Sequence, residues 1–260
     1  MTTIFLHGFS GDSSSLLQFI AACGFNSAQA VDMPEFGSNH RTYEPRWPDY
    51  SRAVMESIQD QAGAGPFRVI GHSQGAMVAY ALAIHYPELV REIVLLCPPV
   101  YGSWLGTAFL RVNNSVRKVV GDERAVSLHK KPSVVKTISR LSQVDDWPDG
   151  AFDRFHQVRI GESERYTASM LRLTDMLVDF PEVYSHTSCR IPAAILPADN
   201  DRLVTARDMV WFQTRLTGAV TMKIKGGHVA PLIFPDETAA AIHRALDEAK
   251  LARDEQNRIY

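Results

Sequence analysis

Within the first hundred residues, short β-type runs alternate with helical patterns, and that alternation leaves a chain few ways to bury its apolar surface. Candidate strands are Thr2 to Leu6, Ser27 to Val31, Phe67 to Gly71 and Glu92 to Leu96. The stretches between them read as helices, and a parallel sheet with crossover helices requires that alternation. Ser13-Ser-Ser precedes Leu16, Leu17, Ile20 and Cys23 at helical spacing, with Gly24 where a helix C-cap belongs. Asp49 to Ala62 predicts a second helix, closed by Gly63-Ala-Gly-Pro66. Gln74 to His85 predicts a third, rich in small residues and ended by Tyr86-Pro87, so that it can pack close to a sheet.

The pattern changes after Pro98-Pro99. From about Tyr101 to Arg190 no strand pattern is found, but amphipathic helical faces are: Val134, Ile138 and Leu141 share one, and Tyr166, Met170, Leu173 and Leu177 another. β-type runs resume at Ala193 to Leu196 and Val220 to Ile224, followed by helical stretches at Ala206 to Leu216 and Asp236 to about Ala252. The expected class is therefore α/β, with a discontinuous core at 1–100 and 191–260 interrupted by a helical cap at 101–190.

Composition narrows the function. A net charge of -2, with no Lys or Arg run longer than two, argues against a nucleic-acid partner. Cys23, Cys97 and Cys189 are an odd number without C-x-x-C spacing, which speaks against a disulfide framework and a zinc site. No apolar span approaches the length of a transmembrane helix, and Met1 to Leu6 runs straight into domain-like sequence, so a cytoplasmic protein is expected.

The strongest chemical signal is Gly71-His-Ser-Gln-Gly75, which follows the apolar run Phe67 to Ile70 and opens a helix. Glycines are needed there because the turn must be sharp enough to expose the serine hydroxyl above the sheet. A serine hydroxyl is a poor nucleophile until a neighbouring base takes its proton. His228 is the best-placed base: Lys225-Gly-Gly-His-Val229 lies between the last expected strand and the C-terminal helix. The third group must be a carboxylate that holds the imidazole in the right tautomer. Leu196-Pro-Ala-Asp-Asn-Asp-Arg-Leu-Val204 offers Asp199 and Asp201, and Asp201 is preferred. Loops after successive strands bring the three to one edge of the sheet.

Taken in order, Leu6-His-Gly-Phe9, Asp32-Met-Pro34 with Gly37, Gly71-His-Ser-Gln-Gly75, Ala198-Asp-Asn-Asp-Arg-Leu-Val204 and Gly226-Gly-His228 resemble the α/β-hydrolase superfamily, in its small capped esterase and lipase-like branch. The resemblance covers both core segments and fades in the cap. It departs from the family at Ala198 and Glu35, where glycine is common. The resemblance implies an oxyanion hole from the backbone N–H groups of Phe9 and Gln74, with His7 and Gly8 shaping the first loop. The family usually begins with an antiparallel strand pair, but six residues precede His7, so a shortened sheet of about six parallel strands is expected.

The expected activity is cleavage of a small-molecule carboxylic ester or thioester through an acyl-enzyme on Ser73, without metal or organic cofactor. Two alternatives use the same residues: a lyase or carbon–carbon bond hydrolase acting on a small acidic metabolite, and a receptor that merely holds a ligand. Substrate contacts are expected from His7 and, in the cap, from Trp104, Leu105, Phe109, Met170 and Leu173, with Arg111, Arg117, Lys118, Lys130 and Lys131 making part of the cap basic.

Overall fold

The computed structural model describes residues 1–9, 11–100, 104–129, 131–134 and 164–259, with most of their side chains. Strands β1 (Thr2–Leu6), β2 (Ala28–Val31), β3 (Phe67–His72), β4 (Val90–Leu96), β5 (Ala193–Leu196) and β6 (Val220–Thr221) form a six-stranded sheet in the order β2-β1-β3-β4-β5-β6. Every pairing is parallel. From β1 the chain steps outward to β2, then returns to β3 and proceeds to β6. Such a reversal makes the loops after β1 and β3 diverge, leaving a crevice at the C-terminal ends of the strands. Ile93 to Leu96 and all of β5 are buried, as expected of parallel strands covered on both faces.

Helix α1 (Leu17–Cys23) follows a 3-10 turn at Ser13–Leu16 and ends at Gly24 with φ 63°. It packs against the C-terminal helix, where His243 Nε2 meets the Cys23 carbonyl oxygen at 2.8 Å. Helix α2 (Trp47–Ala62) begins at Trp47 rather than Asp49, because Pro48 fits the first turn, where no N–H is needed. Helix α3 (Gln74–His85) is buried from Gln74 to Ala83, and its small side chains let it lie close to β1, β3 and β4.

Helices α4 (Trp104–Val120), α5 (Asp122–His129) and α6 (Glu164–Val183) lie between β4 and β5. Ile138 and Leu141 lie outside the described residues. The C-terminal half of α6 joins the main core through Leu173, Met176, Leu177 and Phe180, followed by Tyr184. Trp47 donates its indole N–H to the Met176 carbonyl at 2.8 Å, and its ring lies 4.8 Å from that of Phe180. Phe180 also meets Tyr184 at 4.8 Å and Trp211 at 5.4 Å, so α2, α6 and α7 (Ala206–Gln213) share one aromatic cluster. Full burial of such a ring contributes about 1.5–3 kcal/mol.

The second core segment differs in detail from expectation. Helix α7 stops at Gln213 rather than Leu216, and the Thr214 hydroxyl donates back to the Val210 and Trp211 carbonyls, both at 3.0 Å. Strand β6 covers Val220–Thr221, with a further isolated bridge between Ala198 and Ile224. A short α8 (Ala230–Ile233) precedes α9 (Pro235–Ile259), which runs past Ala252.

Candidate active site

Ser73 alone joins β3 to α3, at φ 54° and ψ −116°. L-residues avoid that region, so the surroundings must enforce it. A Cβ on Gly71 would stand 2.0 Å from the Gly75 carbonyl oxygen, and one on Gly75 would stand 2.4 Å from that of Leu6. Both glycines are therefore required by backbone contact. The Ser73 N–H donates to the Leu96 carbonyl at 2.8 Å, and its own carbonyl accepts from Ala76 at 2.9 Å, which sets the start of α3.

His228 and Asp201 come to this turn from the far end of the sheet. Ser73 Oγ lies 2.7 Å from His228 Nε2, and His228 Nδ1 lies 2.9 Å from Asp201 Oδ2. A carboxylate only accepts, so Nδ1 carries the proton and Nε2 is left to receive the serine hydroxyl's hydrogen bond. Asp201 Oδ1 accepts from the Leu203 and Val204 amides at 2.8 and 3.0 Å. Burial alone would raise its pKa; the His228 neighbour and these bonds outweigh it and hold the carboxyl below its ordinary value. Asp199 serves elsewhere: its Oδ1 accepts from the Gly226 N–H at 2.9 Å, while Asn200 N–H donates to the Gly226 carbonyl at 2.9 Å. Residues 199–201 thus grip the Gly226-Gly-His228 segment as a unit.

The loop after β1 completes the surroundings. His7 is fully buried; its Nδ1 donates to the Gly8 carbonyl at 2.9 Å and its Nε2 accepts from Met33 N–H at 3.1 Å. Burial lowers its pKa, keeping it neutral. Its ring ties the first loop to the segment after β2, with both nitrogens engaged by backbone. Asp32, in that segment, accepts from the backbone N–H groups of Ser13 at 2.7 Å and Ser38 at 2.8 Å. Phe9 packs against the core beside this loop, and Gln74 is the first residue of α3. Leu173 is buried in the core, while the side chains of Trp104, Leu105, Phe109 and Met170 lie outside those described.

A family model described as alpha/beta hydrolase family matches residues 3–241. The chain belongs to that family. Among curated relatives, it is 28% identical over 113 residues to the dihydrolipoyllysine-residue acetyltransferase component of the acetoin cleaving system of Cupriavidus necator, a match covering 42% of this chain and 29% of that one. It is 27% identical over 100 residues to the (lyso)-N-acylphosphatidylethanolamine lipase of Mus musculus, covering 36% of this chain and 29% of that one. These matches span less than a third of either relative. A thermophilic esterase from Thermogutta terrifontis shares the fold, with a TM-score of 0.75, 14% identity, and coverage of 96% of this chain and 90% of that one.

The departures from the hydrolase pattern are now physical. Glu35 has φ 69°, a conformation that favours glycine, so the glutamate is held there under strain. Ala198 is not among the described residues with positive φ, and alanine fits its place in the bridge to Ile224.

Two further residues lie beside the Ser73–His228 pair. Cys97 has φ 47° and a fully buried side chain. It offers its sulfur within a cluster with Asp201 and His228 whose ligand atoms all lie within 4.8 Å of one another. Burial, with the Asp201 charge added, pushes its thiol well above the ordinary range, and His228 Nδ1 and Asp201 are already engaged with each other. His72, read as part of the elbow, has its Nε2 2.7 Å from the His228 carbonyl oxygen.

Proposed function

We propose that this chain is a serine hydrolase that cleaves a small-molecule carboxylic ester or thioester through an acyl-enzyme on Ser73. The observation that carries the reading is the continuous hydrogen-bonded relay from Ser73 Oγ through both nitrogens of His228 to the buried Asp201 carboxylate, with links of 2.7 and 2.9 Å. In this mechanism Ser73 Oγ attacks the carbonyl carbon as His228 Nε2 accepts its proton, and Asp201 stabilises the resulting imidazolium. The backbone N–H groups of Phe9 and Gln74 receive the developing oxyanion, each worth about 3 kcal/mol in the transition state. On collapse, His228 returns the proton to the leaving oxygen or sulfur; water, activated by the same histidine, then releases the acid.

Ester chemistry is further supported by the similarity to the mouse lipase. We read residues 101–190 as a helical cap over a core of 1–100 and 191–260. The buried core side of α6 would give that cap one fixed end. No helix among the described residues is long and apolar enough to cross a membrane, and the three cysteines are buried free thiols, which suits a cytoplasmic setting.

The test is turnover of a p-nitrophenyl ester series of increasing acyl length by the wild type and Ser73→Ala. Turnover that varies with acyl length and falls by about four orders of magnitude in the variant is expected. A variant as active as the wild type would refute the reading.

A further inference from the structure

His228 sits in an irregular segment between β6 and α8, where no ladder of backbone hydrogen bonds fixes it. Its ring is held at both ends, by Ser73 and Asp201, and Asp199 and Asn200 hold the backbone two residues earlier, so these bonds end at the ring and at Gly226. A further bond reaches the His228 backbone: His72 Nε2 lies 2.7 Å from the His228 carbonyl oxygen. A carbonyl only accepts, so Nε2 carries the proton and His72 is the donor.

His72 is nearly fully buried and is the chain neighbour of the nucleophile. Its ring lies 5.5 Å from that of His228. It also lies directly beneath the first loop: a Cβ on Gly8 would stand 2.8 Å from His72 Nδ1. Burial, reinforced by the neighbouring His228, lowers its pKa to about 4, so it stays neutral at ordinary pH. A neutral ring can serve as a donor here without opposing the positive charge that His228 must acquire.

We propose that His72 is a positioning residue that clamps the backbone of the general base to the nucleophile elbow. Adjacent residues 72 and 73 each hold a different atom of residue 228, one its carbonyl oxygen and the other its ring nitrogen. The pair of bonds fixes both the distance and the tilt between nucleophile and base. Its catalytic consequence rests on the serine-hydrolase reading; the clamp itself does not.

The experiment compares His72→Leu, which fills similar space without a donor, with His72→Gln, whose amide nitrogen reaches about as far as Nε2. Two readouts are taken on each folded variant. The first is amide hydrogen exchange across residues 225–230. We expect exchange to quicken at least tenfold in His72→Leu and to stay within about threefold of wild type in His72→Gln; unchanged exchange in His72→Leu overturns the clamp. The second is the split of kcat and KM on the best p-nitrophenyl ester. A misplacement of about 1 Å costs on the order of 100-fold in rate, so kcat of His72→Leu should fall about 10- to 100-fold with KM within twofold, and His72→Gln should recover most of it. Equal losses in both variants, or none in His72→Leu, overturn the positioning role. A wild type that turns over no ester but shows the exchange pattern sinks the hydrolase reading and leaves the clamp standing.

Discussion

Ser73 and His228 meet within a hydrogen bond, yet they are held by different forces. The serine turn is fixed by backbone against backbone: Gly71 packs on Gly75, Gly75 on the Leu6 carbonyl, and Ser73 N–H on Leu96. The histidine segment is fixed by polar tethers from Asp199, Asn200, Asp201 and His72. A turn built into the core fails together with the fold. A segment held by tethers can lose its geometry while the core persists.

Substitutions should therefore separate the two regions. His228→Ala should lower ester turnover by about 10⁴-fold while its thermal midpoint stays within a few degrees of wild type, measured by steady-state kinetics and calorimetry. Gly71→Ala should do the reverse first: the added Cβ meets backbone that cannot yield, destabilising the fold by about 3 kcal/mol or more, seen as a drop of roughly 10 °C in the midpoint. If Gly71→Ala melted like wild type, the account of the elbow would be wrong. Asp199→Ala releases only the Gly226 N–H, and should cost about tenfold in kcat, the order of one hydrogen bond, with little change in KM.

The smallest effect is one of pH. The Asp201 carboxyl is held below its ordinary 3.8 in the folded chain. Its contribution to stability is therefore complete above that value and is lost as pH falls through the lower folded value. Asp201→Asn should flatten the acid limb of a stability–pH curve below about pH 4, measured by denaturant titration at successive pH values.

The same contrast explains what the sequence made legible. Apolar runs that stay buried on both faces marked β1 and β5 to the residue, and the glycines of the elbow announced a close approach that the structure contains. The loop offered Asp199 and Asp201 side by side, and no physical signal within it separates them, because the fold decides which carboxylate faces the ring. His72 and Cys97 gave no periodic signal, since their importance lies in contacts 156 and 104 residues away along the chain, with His228 and Asp201. The C-terminal half of α6 looked like an ordinary amphipathic helix; its partners Trp47 and Trp211 come from distant segments.

The central claim is that Ser73 is made nucleophilic by His228, and an active-site fluorophosphonate probe with mass mapping tests it directly. The account predicts one labelled peptide containing Ser73, absent from Ser73→Ala and formed far more slowly in His228→Ala. Label on another residue, or labelling of His228→Ala at the wild-type rate, would contradict it.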